Sequence, residues 1–275
     1  MLISFREILD GAERGGYAVP AFNVYNMETV MGVVMAAEAL CAPVIMQFYS
    51  RLATEGNIEF LAPIILHAAS KAKVPVCMHL DHGAGEKEVM IALRSGATGI
   101  MIDNSEKPFE ENIAATSAVV RMCSQVGVSV EGELGHIGSA KDGVSNHYTQ
   151  TDAAAEYVAR TGICSLAAMV GTAHGRYKQP PQLAFERISE LKEATGVPIV
   201  LHGGSGVPDD QVREAVKRGI RKVNFGTDLC YAFLDNVFTV DRSIYAIDLF
   251  MKKPIAAVKK YAEEKIILLG ADKKA

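Results

Sequence analysis

Eight short apolar runs, each followed by a longer segment of helical period, constrain this chain more than any other feature. The runs are AVPAFNV (18–24), PVIMQFY (43–49), VPVCMHLD (74–81), GIMIDN (99–104), VSVEGEL (128–134), SLAAMVG (165–171), PIVLHG (198–203) and KVNFG (222–226). They are apolar over most of their length, the pattern of strands covered on both faces. Between them lie METVMGVVMAAEAL, EKEVMIALRSG, ENIAATSAVVRMCSQVG and DDQVREAVKRG, several ending at glycine, the residue that closes a helix in left-handed backbone. A parallel sheet of such units is either doubly wound or closed. Eight regular units without a break in composition favour closure, so the spacing predicts an α/β fold, a (β/α)8 TIM barrel, as one domain over residues 1–275.

Composition narrows the partners. A net charge of −4 gives no electrostatic case for nucleic acid or a membrane surface. No apolar run reaches the roughly 18 residues needed to span a bilayer. The start, MLISFREILDGAERGG, has the charge pattern of a helix rather than of a signal peptide. Cysteines 41, 77, 123, 164 and 230 are dispersed and never spaced C-x-x-C. They read as reduced side chains of a cytoplasmic protein, not as a disulfide frame or a thiolate zinc site.

Barrels of this kind place their active sites at the carboxyl ends of the strands, and the polar residues of this chain collect there. Asn23 ends the first strand, Asp81 and His82 the third, Asp103 the fourth and Glu133 the fifth. His174 follows the sixth, His202 ends the seventh, and Asn224 and Thr227 mark the eighth. At the opposite ends only Lys222 is charged. His82, His174 and His202 therefore converge on one mouth, and three imidazoles with an open fourth position make a catalytic zinc site. His79 shares the parity of Asp81 and reads as barrel filling, while His67, His136 and His147 have no metal role. Asp81, beside a zinc ligand, is placed to move a proton at an atom that the metal polarises.

Two further stretches point to phosphate. HGGSGVPDDQ (202–211) sets glycines and Ser205 after the seventh strand and before a helix, and NFGT (224–227) follows the eighth. Backbone N–H groups at glycine turns and helix N-termini hold anions, and these two loops form the usual phosphate site of the fold. One connection is long: HIGSAKDGVSNHYTQ (136–150) is polar and aperiodic, as a lid or binding loop is.

Taken together, AVPAFNVYN (18–26), HLDHG (79–83), GIMIDNS (99–105), VEGELG (130–135), GTAHGRY (171–177), LHGGSGVP (201–208) and KVNFGT (222–227) resemble the class II, metal-dependent ketose-bisphosphate aldolases, the tagatose-bisphosphate enzymes most closely. The resemblance implies zinc on His82, His174 and His202, Asp81 as the acid/base, and Asp103 and Glu133 as an alternative metal position or support for the ligands. It implies a substrate cradle of Asn23, Ser50, Gly175, Gly203, Ser205, Asn224, Gly226 and Thr227, together with a monovalent cation, Na+ or K+. The implied reaction is reversible cleavage of a tagatose or fructose 1,6-bisphosphate-like ketose to dihydroxyacetone phosphate and an aldehyde, through a zinc-stabilised enediolate. The partners are then a small sugar phosphate and further copies of the chain, as a homodimer or homotetramer.

The chain departs from that pattern in three places. Where relatives carry a loop glutamate in G-G-x-E-D, the stretch here is GSAKDG, with Lys141 in its place and Asp142 as the available carboxylate for catalysis. The D-P-R-x-[YF] segment of relatives is replaced by DLFMKKP (248–254), without the arginine. After the second strand stands FYSRLA, which adds Tyr49 and Arg51. Two other readings fit the same residues: a zinc-dependent hydrolase on the barrel, with Asp81 activating water, and a sugar-phosphate-binding barrel without turnover.

Overall fold

The computed structural model describes residues 1–141, 143 and 147–275. Eight parallel strands close into a barrel in chain order. They are β1 (Val19–Asn23), β2 (Val44–Tyr49), β3 (Val76–Gly83), β4 (Gly99–Ile102), β5 (Ser129–Leu134), β6 (Ser165–Ala168), β7 (Ile199–Leu201) and β8 (Ile220–Phe225). The predicted closed barrel is present, and the expected helices form at Met27–Ala39, Glu86–Arg94, Phe109–Ser124 and Asp209–Arg218. Strand ends differ from expectation at two places that matter. β3 continues through the whole of HLDHG, and β8 begins two positions earlier, which sets Lys222 inside the strand rather than at its foot.

The first helix, Phe5–Gly15, is closed at its start by a capping box between Ser4 and Glu7 and at its end by Gly16 at φ 64°. It touches the lower ends of the strands, and Phe5 lies under His79 with ring centroids 4.5 Å apart. On the outer faces, Phe22 and Phe225 stack at 5.8 Å and meet Tyr261 of the closing helix Lys252–Leu268. The main apolar core is this layer between strands and helices. No helix among the described residues is long and apolar enough to cross a membrane.

Candidate active site

A cavity of about 500 Å³ opens at the carboxyl ends of the strands. β3 brings the densest chemistry to it and has the most irregular backbone. Its register against β4 shifts between Leu80 and Gly83. His82 stands at φ 52°, a left-handed conformation that residues with a Cβ seldom adopt. Asp81 and His82 both line the cavity.

Each histidine is oriented from behind. His82 Nδ1 is 2.8 Å from Asp103 Oδ2, so this nitrogen donates to the carboxylate and Nε2 faces the site. His174 Nδ1 donates to the carbonyl of Ile137 at 2.9 Å, again freeing Nε2. His202 is fully buried below the cavity wall, with Nε2 2.8 Å from Glu131 Oε1 and Nδ1 3.0 Å from His82 Nε2. Ligand atoms of the three rings lie within 4.8 Å of one another. Two imidazole nitrogens at 3.0 Å share either a proton or a cation, and His174 Nε2 is buried with no hydrogen-bond partner. One cation between the rings satisfies all three nitrogens at once. Tetrahedral zinc with Zn–N of about 2.0–2.1 Å sets its ligand nitrogens roughly 3.3–3.4 Å apart, against 3.0 Å for the His82–His202 pair and an upper bound of 4.8 Å for the whole cluster.

The charges agree with that demand. Burial opposes protonation of His82, but Asp81, Asp103 and Glu133 overcome it and lift its pKa to about 9. Burial and the His82 charge push His174 down to about 4, and the same causes hold His202 well below its ordinary range. Burial works against the Asp103 carboxylate, yet the His82 contact keeps it well below the usual carboxylate range. Glu133, wholly buried and facing Asp103, rises to about 8. The cluster thus concentrates positive charge at His82, where a metal would sit. His82, Asp103 and Glu133 also approach one another closely enough to share an ion. Asp103 Oδ2 is already spent on His82, whereas Glu133 Oε2 makes no hydrogen bond and lies 3.8 Å from His202 Nδ1, while Oε1 accepts from Ser105 and the Ile137 amide.

Asp81 is held by two side-chain amides, with His82 Nε2 3.9 Å from one of its oxygens. Asn23 Nδ2 donates to one carboxylate oxygen at 2.7 Å and Asn224 Nδ2 to the other at 3.1 Å. Gln47 fixes Asn23 in turn, donating to its Oδ1 at 2.8 Å. Strand alternation aims all four side chains into the barrel: Asn23 of β1 pairs with Gln47 of β2, Asp81 stands two positions beyond Gln47's partner His79 on β3, and Asn224 of β8 pairs with Ala21, two positions before Asn23.

The glycine turns meet beside these groups. Gly203 stands at φ 64°, and a Cβ there would come within 2.3 Å of the Ala173 carbonyl oxygen. Gly175, Gly203, Ser205, Gly226 and Thr227 all line the cavity, and Thr227 opens the helix Thr227–Val237. Ser205 Oγ accepts from the Asp228 amide and Asp228 from the Gly206 amide, which ties the β7 and β8 turns together. Ser50 is placed differently from the expectation. β2 runs to Tyr49 and a short helix starts at Ser50, so Tyr49 and Arg51 reach the cavity and Ser50 does not.

The loop at 136–150, read as a lid or binding loop, is tied to the barrel at its described ends. Ser139 bridges His174 in a single parallel ladder step, and Thr149 bonds both the Leu134 carbonyl and the Met169 amide. Asp142, the expected loop carboxylate, lies outside the described residues. No pattern in the sequence assigns a role to Glu131, Lys222, Tyr177 or the Ile137 carbonyl. Tyr177 joins the His174 loop to the Gly203 turn, accepting from the Ala173 amide and donating to the Gly203 carbonyl. Glu131 was signalled only by standing two positions from Glu133, hence on the same face of the strand.

Comparison with known proteins gives the same picture. The family model for class-II fructose-bisphosphate aldolase matches residues 3–274. YdjI of Escherichia coli K12 is 39% identical over 280 aligned positions, covering 100% of both chains. The crystal structure described as the YdjI aldolase superposes with a TM-score of 0.91 at 38% identity, again over 100% of each chain. Fructose-bisphosphate aldolase of Campylobacter jejuni superposes at 0.83 with 26% identity, covering 100% of this chain and 97% of that one.

Proposed function

The chain belongs to the class-II fructose-bisphosphate aldolase family, and we propose that it cleaves a phosphorylated ketose reversibly, with zinc held by His82, His174 and His202. It is a metal-dependent aldolase acting on a ketose bisphosphate; zinc as the ion, the roles of the single residues and the identity of the sugar are our reading. One observation carries it: three oriented imidazoles bring their ligand atoms within 4.8 Å of one another, with a carboxylate beside them and a glycine cradle in the adjoining cavity.

When bound, the metal supplies Lewis-acid stabilisation of negative charge developing on substrate oxygen, worth several kcal/mol. The rest falls to the chain. Asp81, held at both oxygens by Asn23 and Asn224, takes the C4 hydroxyl proton in cleavage and returns it to the aldehyde oxygen in condensation. Gly175, Gly203, Ser205, Gly226 and Thr227 receive the phosphate of the dihydroxyacetone phosphate half, aided by the helix start at Thr227 and a monovalent cation, Na+ or K+. Asp103 and Glu133 keep the ligands in place. Arg51, set over the Tyr49 ring at 5.5 Å and lining the cavity, serves the far end of the sugar, whereas Arg176, over Tyr231 at 3.5 Å, lies in a neighbouring pocket beside Ser205 and Gly206. Tagatose 1,6-bisphosphate is the substrate we assign, and Asp142 the loop base at C3.

The free cysteines support a cytoplasmic setting. Phe238, Tyr245 and Ile247, exposed at 82%, 92% and 72%, support association into a homodimer or homotetramer.

The test is a panel of ketose mono- and bisphosphates with coupled detection of dihydroxyacetone phosphate. Turnover should vanish on chelation and return with zinc, and tagatose 1,6-bisphosphate should give the highest kcat/KM. Turnover in a metal-free preparation, or borohydride trapping of substrate on lysine, would overturn the zinc reading. A zinc protein that turns over no ketose phosphate would turn the chain into a binding barrel.

A further inference from the structure

Inside the barrel, below the three histidines, lie side chains for which the reaction has no use. Glu131 of β5, Lys222 of β8 and His79 of β3 are all fully buried, and none of them lines the cavity. Lys222 Nζ stands 2.9 Å from Glu131 Oε2 and 3.1 Å from Oε1. The same Oε1 is 2.8 Å from His202 Nε2. His79 packs beside this pair, 3.9 Å from Glu131 Oε2, and rests on Phe5. A buried ion pair is no more stabilising than well-packed apolar side chains of the same volume. Its presence here asks for another reason.

We propose that Glu131 and Lys222 are positioning residues that dictate which nitrogen of His202 is offered to the metal. A neutral imidazole carries one ring proton, and its other nitrogen is the ligand. Two neighbours of His202 Nε2 compete to decide between the two forms. A carboxylate can only accept, so Glu131 at 2.8 Å demands the proton on Nε2 and leaves Nδ1 bare toward His82 Nε2. The Asn224 amide nitrogen, 3.3 Å from the same Nε2, favours the reverse form, with the proton on Nδ1 pointing into the ligand cluster. Glu131 is closer and charged, and it wins. Lys222 contacts both oxygens of Glu131 and thereby sets the rotation of the carboxylate, aiming Oε1 at His202. Without the pair, His202 divides between two tautomers, and only one of them binds.

The proposal rests on the histidine-bound zinc proposed above, and its test separates the two. The double variant Glu131→Met/Lys222→Met removes both charges at nearly constant volume, and Glu131→Gln keeps the shape but presents either an oxygen or an NH2 to Nε2. For each, we would measure zinc affinity by competition with a chromogenic chelator, thermal unfolding of the zinc-free protein, and imidazole 1H–15N long-range spectra. Supporting partners of metal ligands typically govern affinity by about 10–100-fold. The double variant should lose that much affinity while unfolding no earlier than wild type, and its His202 should show both tautomers where wild type shows Nε2–H alone. Glu131→Gln should give a smaller loss in the same direction, and it decides the question if the double variant does not fold. Wild-type zinc affinity with an unchanged His202 tautomer in a folded variant overturns the inference. Zinc binding that survives His174→Ala would instead bring down the site reading, and failure on every sugar phosphate would leave the inference standing.

Discussion

The two faces of the same eight strands are filled by opposite rules. Outward, Phe22 and Phe225 stack on each other and on Tyr261, within one continuous apolar layer under the helices. One position along each strand, Asn23 and Asn224 turn inward and hold Asp81. The interior holds a small apolar cluster of its own, Met101, Ala167 and Val200, and nearer its foot Ala21, Ile45 and Cys77, which share the inward parity of Asn23, Gln47 and His79. Around that cluster are Gln47, His79, Glu131, Lys222 and His202, fully buried and mostly hydrogen-bonded or paired. Burial of apolar area makes the outer face the source of stability. The inner face, where each polar group needs a partner, is the source of chemistry and contributes little to holding the fold.

That division is testable from the inside outward. The largest effect should come from His174→Ala, which leaves two imidazoles for the metal. Zinc content by elemental analysis should collapse and turnover should be abolished, while the unfolding temperature of the zinc-free protein stays close to wild type. A variant that loses its fold along with its zinc would erase the distinction between the faces. Next comes Asp81→Ala, assigned to proton transfer and not to the metal. Steady-state kinetics should show kcat lower by about 10²–10⁴-fold, equivalent to roughly 3–5 kcal/mol of barrier, with zinc stoichiometry retained. Loss of zinc without loss of rate would make Asp81 a ligand instead. The smallest effect belongs to the outer face. Ile188, fully buried on the helix Phe185–Thr195, loses one methylene in Ile188→Val. Urea unfolding should show a loss of about 0.5–1.5 kcal/mol, with kcat and zinc content unchanged. A kinetic phenotype there would mean that the two faces are mechanically coupled.

The outer face was the easier half to read. Its strands are continuous apolar runs, and eight of them at regular spacing leave closure as the simplest arrangement. The strand-end polar residues were legible for the same reason, because position along a strand fixes height in the barrel. What a local pattern cannot show is who faces whom across the barrel. Glu131 and Lys222 lie on strands far apart in the sheet, and only closure makes them neighbours, so two charges in apolar runs carried no visible meaning. Asp103 was found as a strand-end carboxylate, but its hold on His82 depends on the β3–β4 register. Ser50, implied by the resemblance, does not line the cavity: β2 ends at Tyr49 as its apolar run predicts, a short helix begins at Ser50, and Tyr49 and Arg51 reach the cavity instead. The Ile137 carbonyl that orients His174 was out of reach altogether, since it comes from an aperiodic loop acting through its backbone.

The kink in β3 has a consequence for anyone who would move this chemistry to another scaffold. Neighbours on a regular strand face opposite sides of a sheet, so an aspartate and a histidine in succession would put one in the interior and the other among the helices. The register slip after Leu80 and the left-handed His82 cancel that alternation and deliver both to one cavity. Such backbone costs of the order of 1–3 kcal/mol, and Gly83 is part of it, because a Cβ there would press within 2.8 Å of the Met101 carbonyl oxygen. Grafting Asp81 and His82 as two point substitutions onto an ideal barrel would therefore split the pair. The portable unit is the bent segment from Leu80 to Gly83, carried with the β4 edge that receives it.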